Sequence, residues 1–381
     1  MTTADGPVRP AAPALADGMQ GMVLGALLGE ARRLALHADS ILAPISTNRE
    51  RIRERLLGAG RIIAFDPPTT DRPTIAAVDG GSVTERMYAA DMLVAVAVSA
   101  EGMTGPTGLP LGHSVWTAVE RHQRDLDRLT GAAMVAQELR VLHDLGHDLR
   151  IFDGSHGTPV IGLSAALFSR NGPVRKQTVD LCKTYGTVEA LSVLSGQHSG
   201  GTVVALPKGD SSRAFADLYE KELGLVIESG DRFLAAQVLS GGEMLLPRPA
   251  DEYKDLNFES NSEDDEATAL ARDLNEALRP VREAAKSGLL QVTYIKPETS
   301  DTVVKIEFYD GDGIVTAKRL GRQLSDETPG PHLQEPFAQH MADLAAKTVS
   351  PGAGALSAAM LQHLPVTAES YLPYLARGYR T

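Results

Sequence analysis

Two apolar runs in this chain end in nearly the same phrase, and that recurrence constrains the fold more than any other feature. Ala-Ala-Val-Asp-Gly-Gly-Ser runs from Ala76 to Ser82, and Arg-Ile-Phe-Asp-Gly-Ser from Arg150 to Ser155. Each reads as a strand that climbs to an aspartate and then meets glycine. A carboxylate at a strand end is held by the sheet while facing its open edge. The glycines that follow permit a tight turn or the close approach of a ligand or backbone. Two such aspartates, Asp79 and Asp153, on neighbouring strands can share a divalent cation through hard oxygen ligands. The plain alternative is that each Asp-Gly is a hairpin turn; the repetition favours the shared site.

The surrounding pattern supplies the elements such a sheet needs. Residues 1–17 are rich in Ala, Pro and Thr and are expected to be mobile, and Gly18 to Leu57 reads as helix. Residues 18–70 therefore form a helical region, closed by the turn-rich Pro67–Pro73 joint, and residues 71–381 form one domain. Strands are predicted over Thr74–Val78 and Met92–Ala100, before Asp153, and within Gly201–Arg213. Thr117–Leu145 reads as one long helix, Leu289–Gly313 as an antiparallel hairpin, and the chain from Pro331 as helices. The acidic run Glu263–Glu266 reads as a solvated linker or helix start inside an acidic insertion near residues 255–275. Hairpin and crossover connections mix, so the class is α/β or mixed α+β.

A third acid joins the two aspartates. Taking Val135, Leu142 and Leu145 as one helical stripe, Glu138 falls on that apolar face. An ionised glutamate buried there is costly unless it is paired or bound to metal. It is either a core glutamate satisfied by an arginine or a ligand beside Asp153. His143 and His147 are spaced as a metal pair but lie off the stripe and lack the glutamate of an HExxH motif. His156 is a turn histidine that can reach a substrate phosphate or have no role. No Walker A loop, GxGxxG fingerprint or GxSxG elbow is present.

Bulk properties exclude some classes. No run approaches the roughly 18 apolar residues of a membrane span, and the N-terminus lacks an export signal. The single cysteine, Cys182, can form no internal disulfide and anchors no thiolate zinc site, which fits a cytoplasmic protein. A net charge of −12 argues against broad phosphate binding. A local basic groove, a bound metal or a partner that delivers nucleic acid can offset it.

With those residues in view, the sequence resembles the NurA family of DNA nucleases, from about Thr74 to the C-terminus. The strand-VDGGS motif is matched at Val78–Ser82, the helical glutamate at Glu138 and the DGS motif at Asp153–Ser155. A strand leading to a lysine and a polar-Arg turn is matched with Lys208 and Arg213. An SDR-to-GE segment is matched at Ser229–Glu243 with a glycine inserted before Asp231, and a VEF-like hairpin as Lys305–Tyr309. Tyr371 matches the tyrosine of the family's last helix, but Tyr379 stands where a histidine belongs.

The resemblance implies an RNase H-like mixed sheet flanked by helices, with an N-terminal helical extension and C-terminal helices. It implies one or two Mn²⁺ or Mg²⁺ ions held by Asp79, Glu138 and Asp153, with Tyr371 positioning water or phosphate. Lys208, Arg213, Ser82 and Tyr379 would meet the substrate. It further implies a homodimer acting on DNA with a HerA-type hexameric ATPase, in end processing or antiphage defence. A neutral tyrosine is a poor ligand for a divalent ion, so Tyr379 and the acidic net charge leave a rival reading. In it the chain is a weakly catalytic adaptor that clamps DNA or regulates the ATPase. A third reading is a carboxylate–metal phosphohydrolase acting on small nucleotides.

Overall fold

The computed structural model describes residues 12–68, 70, 72–87, 90–103, 107–196, 201–209, 211–310 and 314–363. Its strands are β1 (Ile62–Ala64), β2 (Ile75–Arg86), β3 (Asp91–Glu101), β4 (His113–Glu120), β5 (Leu149–Phe152), β6 (Thr202–Ala205), β7 (Glu243–Leu245), β8 (Arg248–Pro249), β9 (Leu290–Lys296) and β10 (Val304–Tyr309). The helices are α1 (Ala12–Gly58), α2 (Leu126–Asp144), α3 (Thr158–Leu167), α4 (Gly172–Thr184), α5 (Thr187–Ala190), α6 (Ala214–Leu223), α7 (Asp231–Val238), α8 (Asp265–Ser287), α9 (Ile314–Asp326), α10 (Phe337–Ala346) and α11 (Val349–His363).

All the strands join one open mixed sheet in the order β1-β7-β9-β10-β6-β5-β2-β3-β4, with β8 paired to β9. β5 runs parallel to both β2 and β6, and the remaining pairs are antiparallel. A central parallel strand is covered on both faces, and all of Leu149–Phe152 is buried. Alternation then sorts the strand residues. Ala76, Val78, Phe152 and Ala205 join the core with Leu129 and Leu139 of α2 and Leu274 and Leu278 of α8. Ile75, Ala77, Ile151 and Val204 face Leu320 of α9 and Ala338 and Ala342 of α10. The sheet is thus flanked by helices on both faces. The β9–β10 hairpin forms as its alternation predicts, with Val304 opposite Ile295.

Two local expectations fail for identifiable reasons. β2 does not stop before its glycines: it continues through Asp79, Gly80, Gly81 and Ser82 to Arg86, paired with β3 throughout. Only its parallel pairing with β5 stops, at Val78 opposite Phe152. The segment from Thr117 is not all helix, because His113–Glu120 is β4. Val115, Trp116 and Val119 favour a pleated edge strand, and α2 begins only after Asp125, whose φ of 67° is left-handed. The acidic run opens α8 rather than linking elements: the Asp264 side chain accepts from the Ala267 N–H at 3.1 Å. Among the described residues no helix is long and apolar enough to cross a membrane.

Candidate metal centre

The site is built where β2 outlasts β5. Beyond Val78, β2 has no partner on the β5 side, so an open notch lies at the C-terminal end of β5. Asp79 shares a face with Ile75 and Ala77, and Asp153 follows Ile151 with the same parity, so both carboxylates point toward α10. The Asp153 N–H donates to the Val78 carbonyl at 3.2 Å, pinning the two motifs side by side. From α10, Gln339 and Asp343 project one turn apart. Gln339 Nε2 donates to Asp153 Oδ1 at 2.9 Å. Carboxylate oxygens of Asp79, Asp153 and Asp343 all lie within 4.8 Å of one another.

Glu138 arrives from the opposite face of the sheet on α2. It is buried, and the space a β-carbon on Gly80 would need lies only 2.2 Å from Glu138 Oε1 and 2.6 Å from Met134 Cγ. Gly81 plays the same part on the other face, where a β-carbon would lie 2.5 Å from the Ala346 carbonyl oxygen at the end of α10. The paired glycines therefore serve close approach rather than turning. One admits α2 and its glutamate, the other admits α10.

Lys208 follows β6, and its ammonium lies at the middle of the acids. Nζ is 2.7 Å from Asp153 Oδ2, 3.1 Å from Asp343 Oδ1, 3.1 Å from Glu335 Oε2 and 3.8 Å from Asp79 Oδ2. It also stands where two clefts meet. One, of about 520 Å³, is lined by Ser155, Thr158, Arg248 and Lys305. The other, of about 320 Å³, is lined by Arg232, Glu335, Gln339 and Lys347. A larger cavity of about 640 Å³ lies by Arg72, Asp148 and Arg319, at the other end of β5 and away from the acids.

The charges are strongly coupled. Burial, then the Asp153 carboxylate, pushes Asp79 up to about 8, against the pull of Lys208. Burial, then Asp79 and Asp153, holds Glu138 well above the usual carboxylate range. For Lys208, burial opposes the charge, but hydrogen bonding to Asp153 and the charges of Asp153 and Glu335 raise it above its ordinary value. Asp343 is also opposed by burial, yet hydrogen bonds from Lys347 and Lys208 hold it low.

The remaining candidates fall elsewhere. Arg213 is not at the cluster: its guanidinium donates to the Ser229 carbonyl at 2.8 Å and the Ile227 carbonyl at 2.9 Å, and pairs with Glu220 and Asp217. Ser82 is exposed, three residues beyond Asp79 and so on the other face of β2. Tyr371 and Tyr379 lie outside the described residues. His147 bonds Glu101 and His143 meets Asp144, so the two histidines form no pair. His156 is buried, with its N–H and ring both on Glu307, which also accepts from Tyr253. Asp343, Gln339 and Glu335 were missed by sequence reasoning. Their spacing of four, beside the buried Ala338, Ala342 and Ala346, was the available signal.

The residues present fit a divalent ion. The donors are hard carboxylate oxygens in a close group, and a cationic ammonium already lies among them. Oε2 of Glu138 is buried without a hydrogen-bond partner among the described residues.

No protein-family model and no curated protein sequence matches the chain. Solved structures do match. The NurA nuclease from Sulfolobus solfataricus superposes with a TM-score of 0.55 at 14% identity, over 90% of this chain and 99% of that one. A NurA structure with manganese gives 0.52 at 10% identity, over 88% and 99%. The chain has a NurA-like fold.

Proposed function

We propose that the protein is a metal-dependent nuclease that hydrolyses DNA phosphodiester bonds. The observation that carries this reading is the convergence of Asp79, Asp153 and Asp343 within 4.8 Å at an open sheet edge, with Glu138 buried behind them. The NurA-like fold supports it.

Asp79, Asp153 and Asp343 would hold Mn²⁺ or Mg²⁺, with Glu138 available to a second ion. When bound, such an ion supplies Lewis-acid charge for the phosphoryl oxygens and lowers the pKa of a bound water. The protein's own groups prepare the donors. Gln339 occupies Asp153 Oδ1 and leaves Oδ2 facing the centre. The Gly80 N–H donates to Asp79 Oδ1 at 2.7 Å and fixes that carboxylate. Burial and the neighbouring Asp79 and Asp153 raise the Glu138 carboxyl well above the usual carboxylate range, and a cation held there would favour its ionised form. Ser155, Thr158, Lys208 and Arg248 line the adjoining cleft together with Glu252, and their hydroxyls and cationic groups are of the kind that meet a phosphate chain.

On the same reading the protein acts as a homodimer with a HerA-type hexameric ATPase in the cytoplasm. Its cleavage is 5′–3′ exonucleolytic, single-strand endonucleolytic or both, in DNA end processing or antiphage defence. The test is incubation of the purified protein with single- and double-stranded DNA and Mn²⁺, with and without such an ATPase. Cleavage that EDTA abolishes supports the nuclease. ATPase binding without cleavage in either condition would replace it with the adaptor.

A further inference from the structure

Lys208 raises a question that the metal reading leaves open. The Lys208 side chain is partly exposed, yet its ammonium lies against four carboxylates rather than reaching away from the protein. Three of them, Asp79, Asp153 and Asp343, are the same three whose oxygens converge. The fourth, Glu335, lies outside that group and lines the smaller of the two clefts that meet at Lys208.

We propose that Lys208 is a tethered counter-ion that competes with the divalent ion for Asp79, Asp153 and Asp343, and that Glu335 is the partner to which its ammonium withdraws when the ion binds. The inference rests on the metal reading above. Without a divalent ion, ionised carboxylates so close repel one another at short range, and one ammonium among them favours their charged forms. A dication satisfies the same oxygens with twice the charge. It cannot share the position with an ammonium 2.7 Å from Asp153 Oδ2. A side chain with four rotatable methylenes can retreat, provided a carboxylate receives it. Glu335 already does so at 3.1 Å. The donor and its resting place are thus built into different segments, the turn after β6 and the approach to α10, and the ion is bound only against the work of moving Lys208.

Manganese affinity measured by calorimetry, without DNA, tests this. Lys208→Met removes the competitor and is expected to tighten Mn²⁺ binding on the order of tenfold. Glu335→Gln removes the resting place and is expected to weaken it about threefold or more. The double variant should bind like Lys208→Met if Glu335 acts on the ion through Lys208, its other neighbour being His340, whose Nδ1 lies 3.6 Å from Glu335 Oε1. Lys208→Gln gives the same reading with a polar side chain, and a larger manganese-induced rise in melting temperature than wild type provides a second readout. Wild-type uptake with unchanged or weaker binding by folded Lys208→Met and Lys208→Gln overturns the competitor role alone. No uptake by wild type or either variant overturns the metal reading and this inference together.

Discussion

The Glu138 carboxylate fills the space that a side chain at Gly80 would need: an added β-carbon would lie 2.2 Å from Oε1. The glycine and the acid are therefore one device, with β2 thinned so that α2 can deliver a carboxylate to the sheet edge. Gly80→Ala is expected to destabilise the fold by about 1–3 kcal/mol through overpacking and to weaken manganese binding by displacing Glu138. Denaturant melts and calorimetry check both. A variant with wild-type stability and wild-type affinity would remove the close-packing account.

Asp79 and Asp153 converge with Asp343 from three separate elements. Asp79→Ala or Asp153→Ala is expected to lower DNA cleavage by roughly a thousandfold or more, the several kcal/mol a Lewis-acid ion contributes, while the far-UV circular dichroism stays unchanged. Near-wild-type cutting by either folded variant would refute the assignment.

The proton on Asp79 links the site to stability. Its carboxyl titrates near 3.8 in an unperturbed chain and near 8 in the fold, chiefly because of burial and then Asp153. Between those values the folded state holds the extra proton, so stability present below the lower value is lost as pH rises through the upper one. Metal-free protein in EDTA should therefore melt at lower temperature as pH rises from about 5 to about 8.5. Asp79→Asn should lose that part of the slope. Equal slopes for the two proteins would show that Asp79 does not hold the proton.

Arg213 carries a contrasting expectation. With two carbonyls and two carboxylates on its guanidinium, it staples the loop before α7 to the start of α6. Arg213→Ala should cost about 1–2 kcal/mol and leave manganese affinity unchanged. A selective loss of DNA binding with full stability would return it to the substrate side.

Sequence reasoning reached the parts of the candidate site written as local patterns. The repeated strand-aspartate-glycine phrase located Asp79 and Asp153, and helical periodicity set Glu138 on the buried face of α2. What it could not see depended on pairing between distant segments. The glycines permit either a turn or a close approach, and nothing local reveals that β3 keeps pairing with β2 through them or that two helices press on either side. Arg213 sits in a polar turn that suits a phosphate contact equally well. Only the fold brings the carbonyls of residues 227 and 229 to it. The start of α2 was misplaced because β4 is an edge strand, exposed and intermediate in alternation, without the apolar run that marks a central one.

Gln339 lies 186 residues beyond the aspartate it holds. During synthesis the two strand aspartates emerge long before α10, which carries their orienting amide and their third carboxylate. A chain that has not yet reached α10 therefore lacks both Gln339 and Asp343 beside its two strand aspartates. The candidate cation site thus depends on a long-range closure of the chain rather than on any one local motif.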